Sequence, residues 1–214
     1  MLTLGISTSS SHFSVVFGED NFVLFNSENL ELSYFKTIEI LVAKGLAYIN
    51  REVREITNII VDNGPGGTSS VRTGVAFANG LGYSLGINVC PVSAFEILGF
   101  DIYSNSQIPV LLTTKSIKGN AFLGYFNSNK LHSISYGKVD NILQNIINVN
   151  VEFIATGYYK DIIKDLSHRN IINVSDQQYG DIELLIKHEQ LFTSRALRFP
   201  NFVIPITEKT LSHA

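Results

Sequence analysis

The sequence predicts an α/β protein of two lobes, each a mixed sheet with helices. Three observations predict it. Near the N-terminus three short strands precede alternating helices and strands; one strand runs through a glycine turn directly into a helix, within Asn58–Leu85; and beyond the polar stretch Ser104–Gln107 a similar order begins again. The lobes are expected at residues 1–103 and 104–214.

Leu2–Ile6, Phe13–Phe17 and Phe22–Phe25 read as the opening strands, separated by polar turns at Ser7–His12 and Gly18–Asn21. From Ser33, an available N-cap, the period changes. Tyr34, Ile38, Leu41, Val42, Leu46 and Ile49 recur at helical steps, which predicts an amphipathic helix over Ser33–Asn50. Asn58–Asp62 is a buried strand, and a helix follows the glycine turn to Leu85. A strand at Ile87–Val92 and a helix over Ser93–Tyr103 close the first lobe. In the second, Ile108–Thr113, Ala121–Phe126 and Leu131–Tyr136 read as strands, the last two joined by a hairpin at Asn127–Lys130. Helices at Val139–Ile147 and Tyr158–Leu166, strands at Val151–Ala155 and Ile171–Val174, and a helix over Ile182–Leu197 complete the chain.

Composition narrows the function classes. The 214 residues carry 16 Lys and Arg against 19 Asp and Glu, a net charge of -3. That balance argues against a strong basic field for nucleic acid, because neutralising phosphates needs clustered cations. Hydrophobic residues make up 45% of the chain and charged ones 16%, so an apolar surface that seeks a partner is expected. No apolar run approaches the roughly 20 residues of a membrane span, and no secretory signal is readable at the N-terminus, which predicts a cytoplasmic protein. Cys90, the one cysteine, reads as a small buried hydrophobe in a strand.

The glycine turn Gly64-Pro65-Gly66-Gly67 lies where a helix start offers N–H groups to an anion, so it is either a phosphate contact or plain punctuation. It lacks the Lys-Ser/Thr end of a P-loop. In the helix behind it, Ser70, Gly74, Ala78 and Gly82 fall four residues apart, beside Val71 and Val75. Such a small-residue stripe permits close approach either of this chain's own sheet or of a helix from another chain. Asp62 is the best-placed carboxylate, bonded to the turn's own N–H groups or catalytic; Arg72 is a surface cation or is aimed at phosphate or a partner carboxylate. His12, His132, His168, His188 and His213 show no i, i+4 pair, so no metal site is readable.

Leu4-Gly5-Ile6-Ser7-Thr8-Ser9, Ser14-Val15-Val16, Gly64-Pro65-Gly66, Val71-Arg72-Thr73-Gly74, Gly80-Leu81 and Val92-Ser93-Ala94-Phe95-Glu96-Ile97-Leu98 together resemble, in order and spacing, the TsaB (YeaZ) family. The resemblance runs from Met1 to about Phe100. It implies the two-lobed fold of actin, Hsp70 and the sugar kinases. It also implies a non-catalytic accessory subunit for threonylcarbamoylation of the tRNA adenosine next to the anticodon. The partner would be a TsaD-like catalytic subunit, with a TsaE-like ATPase as a further partner and a homodimer when the chain is alone. Direct tRNA contact and membrane contact are not expected. No cofactor of its own is implied, with ATP or ADP placed at the partner contact.

On this reading the partner-binding residues are Tyr34, Ile38, Leu41, Ser70, Val71, Gly74, Val75, Ala78 and Gly82, and a large residue at Gly74 or Ala78 would abolish binding while sparing the fold. Nucleotide or phosphate would touch Ser7, Thr8, Ser9, Gly64, Gly66, Gly67 and Arg72. Two departures weigh against catalysis. Ser7 stands where the superfamily's first strand carries Asp, and Lys115 and Asn120 stand where a second-lobe signature carries acids. The competing reading is an ATP-binding kinase or carbamoyl-transfer enzyme of the same fold, with nucleotide between the lobes.

Overall fold

The structure, a computed structural model, describes residues 1–10, 13–28, 37–142, 152–166, 171–194, 196–197 and 201–211. The chain forms two units: Met1–Ala94 with Ile182–Ile206, and Phe95–Asp181 with Thr207–Ala214.

In the first unit β1 (Leu2–Ser7), β2 (Ser14–Glu19), β3 (Phe22–Asn26), β4 (Ile56–Asp62) and β5 (Val89–Val92) form one sheet in the order β3-β2-β1-β4-β5. The β1–β2 and β2–β3 pairs are antiparallel, while β4 and β5 add to β1 in parallel. Alternation along these strands gives the sheet two covered faces. Leu4, Ile6, Phe17, Ile59 and Val61 point to one face, where α1 (Ile38–Tyr48) and α2 (Thr68–Leu85) supply Ile38, Leu41, Val71, Val75 and Ala78 to a common core. Each such side chain taken out of water contributes about 1.5–3 kcal/mol. Helix α2 ends at Gly86, whose φ of +67° suits the left-handed cap and whose N–H returns to the Gly82 and Tyr83 carbonyls.

The second unit repeats this plan. α3 (Ala94–Ser106) leads into β6 (Val110–Lys115), followed by β7 (Asn120–Asn127), β8 (Lys130–Lys138), β9 (Phe153–Gly157), α4 (Lys160–Leu166) and β10 (Ile171–Ser175). Read from β8, the sheet order β8-β7-β6-β9-β10 matches that of the first unit, again with an antiparallel meander and two parallel additions. Phe95, Leu98 and Ile102 of α3 cover one face, against Val110, Leu112 and Phe126. Ile163 of α4 joins Leu111, Phe153 and Ala155 on the other.

The expected lobe boundary needs correcting. Ser104–Gln107 does not separate lobes, because α3 continues to Ser106 and its apolar repeat packs on the second sheet. Residues 182–206 return to the first unit, so neither unit is one unbroken stretch of chain. The helix expected over Ile182–Leu197 is also divided. It becomes α5 (Leu184–Lys187) and α6 (Glu189–Thr193), broken at His188, and Leu197 bridges Val89. The break lets both pieces lie on the other face of the first sheet. Leu185 meets Gly5 there, and Glu189 accepts hydrogen bonds from Thr3 (2.5 Å) and Asn58 (3.1 Å). Cys90, buried as expected, donates to the Phe192 carbonyl from the same face.

The start of the Ser33–Asn50 helix with its cap, and most of Val139–Ile147, lie outside the described residues. The chain ends in α7 (Glu208–Leu211) within the described residues, none of whose helices is long and apolar enough to cross a membrane.

Candidate functional site

Parallel pairing of β1 with β4 brings their C-terminal ends side by side, and with them Ser7 and Asp62. The Ser7 hydroxyl donates to Asp62 Oδ2 at 2.8 Å, the Ser9 hydroxyl donates to the same oxygen, and the Gly64 N–H donates to Oδ1 at 2.8 Å. Asp62 is 1% exposed. Burial pushes its carboxyl above the ordinary range, against the Ser9, Gly64 and Ser7 hydrogen bonds that favour the charged form. The geometry shows Asp62 bonded to its own turn. It binds the first N–H of its own turn and ties the serine loop to it.

The turn itself is held from both sides. Gly64 has a φ of +95°, open to glycine at little cost, and its carbonyl accepts from the Ala94 N–H and the Ser93 hydroxyl, both at 2.8 Å. Thr8 donates to the Ser70 carbonyl at 2.9 Å. A Cβ on Gly66 would stand 2.5 Å from the Ser9 carbonyl oxygen and 2.7 Å from Ser9 Cα, so the two loops touch backbone to backbone. Ser7, Thr8, Ser9, Gly64 and Gly66 are therefore brought together. Gly67 is exposed and precedes α2 without a side-chain cap, and Arg72 is exposed on α2.

A carboxyl with a raised pKa makes stability depend on pH. Between the ordinary carboxylate value and the raised one, the folded chain keeps a proton that the unfolded chain releases, so this contribution is full in acid and is lost as pH rises through the folded pKa. Asp62→Asn removes the titration. Urea unfolding from about pH 4 to 8 is expected to show the variant gaining on the wild type as pH rises; a pH-independent difference would contradict the buried carboxyl.

The expected partner residues are placed differently. Gly74, Ala78 and Gly82 face the chain's own sheet: a Cβ at Gly74 would run into the Thr8 side chain and one at Gly82 into Val89, while Ala78 is 0% exposed. Val71, Val75, Ile38 and Leu41 are in the same core. Seven of the nine residues are thus buried within this chain and are corrected from docking residues to core residues. Ser70 is half-buried, and Tyr34 lies outside the described residues.

What these helices turn outward was missed. On α2 the exposed side carries Thr73, Ala76, Gly80 and Tyr83, and a Cβ at Gly80 would meet nothing within 4 Å. On α1 it carries Ile40, Ala43, Ala47 and Tyr48, with the charged Glu39 and Lys44 exposed beside them. Arg72 is the one charged residue among the 18 of α2.

Two asparagines were also missed. Asn79, inside α2, exchanges hydrogen bonds of 3.0 and 2.9 Å with the Val203 backbone. Asn63 reaches Ile204 with its side chain and Ile206 with its carbonyl. An asparagine in mid-helix, where propensity disfavours it, is the signal that marks Asn79.

Among the described residues, no group of three His, Cys, Asp or Glu is placed to hold a metal ion. The family model described as "TsaD: tRNA N6-adenosine threonylcarbamoyltransferase" matches residues 31–165, more than half of the chain. No curated protein matches by sequence. Two solved structures from Pseudomonas aeruginosa share the fold. One is an uncharacterised protein with similarity to the peptidase YeaZ (TM-score 0.74, 14% identity, 96% of this chain and 98% of that one); the other is YeaZ (TM-score 0.72, 14% identity, 96% and 100%). The chain shares the fold of these two structures, and one sheet order occurs in both of its units.

Proposed function

The chain belongs to the TsaD family of tRNA N6-adenosine threonylcarbamoyltransferases, and from that premise we propose that it is a non-catalytic accessory member on the YeaZ-like branch. It docks a TsaD-like catalytic subunit for threonylcarbamoylation of the tRNA adenosine next to the anticodon. A TsaE-like ATPase is a further partner, ATP or ADP belongs to the partner contact, and the chain pairs with itself when alone. The setting is the cytoplasm. The chain brings no cofactor and makes no direct tRNA contact.

The observation that carries this reading is the outward side of α1 and α2. A long helix that leaves Thr73, Ala76, Gly80 and Tyr83 in water, with a single charge along its length, is poorly suited to solvent and well suited to another helix. Small residues let helix axes approach, and Ile40 and Tyr48 on α1 add apolar and aromatic area. Docking is thereby moved from the buried stripe to the opposite side of the same helices.

Gly80→Arg tests this cleanly. The site is open and glycine costs a helix interior about 1 kcal/mol relative to good helix formers, so the variant should fold at least as well as the wild type. A charged side chain in the contact should weaken binding to the TsaD-like subunit by about tenfold or more. Calorimetric titration gives the affinity and thermal melting the control; unchanged affinity in the folded variant would reject this surface.

A further inference from the structure

The fold family implies a nucleotide whose phosphates rest on the turns at the strand ends, and the first unit's residues do not fit one. A turn that cradles phosphate keeps N–H groups free and leaves room for an atom to enter. Here the Gly64 N–H is spent on Asp62. The place in front of Gly66 is filled by the backbone of Ser9, too close even for a methyl group. The nearest carboxylate, Asp62, is buried and bonded to the turn and the serine loop, and Ser7 stands where the resemblance implies an acid near nucleotide phosphate or metal.

The substitution at Ser7 fits this closure. A second carboxylate at that position would lie beside Asp62 in a dry site, where two like charges cannot both be kept. A hydroxyl instead donates to it at 2.8 Å. Ser9 donates from the same loop, and Thr8 fastens the loop to the Ser70 carbonyl.

We infer that the serine loop Thr8–Ser10 is the glycine turn's own occupant, closing the phosphate edge of the first unit from within. The loop takes the place that a nucleotide's phosphates hold in an open turn, with Asp62 as the clasp. This inference stands apart from the docking surface and holds whether or not the partner is a TsaD-like protein.

The test uses the full chain alone. Mg-ATP and inorganic pyrophosphate are titrated calorimetrically, and amide hydrogen exchange is followed at residues 8–10 and 64–67. The expected result is no binding tighter than about 1 mM that alters exchange at these residues. Saturable binding that protects 64–67 would overturn the inference. Gly66→Ala provides a second readout: the added methyl must displace Ser9, so its melting temperature should fall and exchange at 8–10 should quicken. An unchanged melting temperature and exchange would equally overturn it. Affinity for the TsaD-like subunit, measured separately, reads the docking proposal without touching this one.

Discussion

Gly74→Leu is expected to destabilise the first unit strongly instead of sparing the fold and removing only the partner. Gly74 lies on the buried side of α2, and a Cβ there already runs into the Thr8 side chain, which is fixed by its bond to the Ser70 carbonyl. Thr8 is itself 0% exposed, so it has no open solvent to move into. Overpacking a rigid core costs about 1–3 kcal/mol, and more where nothing can move, out of a total stability of about 5–15 kcal/mol. A loss of about 3 kcal/mol or more is therefore expected, read as a lower urea midpoint. A wild-type midpoint would mean that the stripe faces outward after all.

The second large effect concerns the return of residues 182–206. A fragment ending at Tyr103, where composition and turn signals place the end of the first lobe, is expected not to fold alone. It lacks Leu184, Leu185, Ile186, Phe192 and Val203, all buried in the intact chain. At about 1.5–3 kcal/mol each, their loss is comparable with the whole stability of a domain. It also leaves Thr3 and Asn58 without Glu189 and opens the face holding Gly5, Gly18 and Cys90. Circular dichroism with urea should show no cooperative transition; a sharp transition would show that the return segment is dispensable.

These two results also mark what was legible. The strand, turn and helix from Asn58 to Leu85 could be read because apolar periodicity, glycine punctuation and cap residues all agree there. The repeated sheet order was visible as a repeated succession of strands and helices. The direction of α2 was not. Gly74, Ala78 and Gly82 on one side and Thr73, Ala76 and Gly80 on the other are both rows of small residues, and spacing alone cannot say which row meets the sheet. Burial of Val71 and Val75 beside the first row decides it.

The discontinuous first unit was hidden for a different reason. Thr3 and Glu189 are 186 residues apart, and Asn79 and Val203 are 124 apart, so no local pattern announces either contact. The break at His188 likewise follows from what α5 and α6 must cover, which local helical periodicity does not contain. At the glycine turn the bond of Asp62 to its own turn was one of the two readings the sequence offered. The contact of Ser9 with Gly66 depends on the parallel register of β1 with β4, which only the assembled sheet supplies.

The most direct test of the docking account is co-purification of this chain with the TsaD-like protein of the same cell, with the complex sized by light scattering. Wild type and Gly80→Arg are compared at equal concentration, after melting curves have established that both are folded. The account predicts a discrete complex of the two proteins that the Gly80→Arg substitution removes. A folded wild-type chain that forms no such complex, or a complex that survives the substitution unchanged, would contradict it.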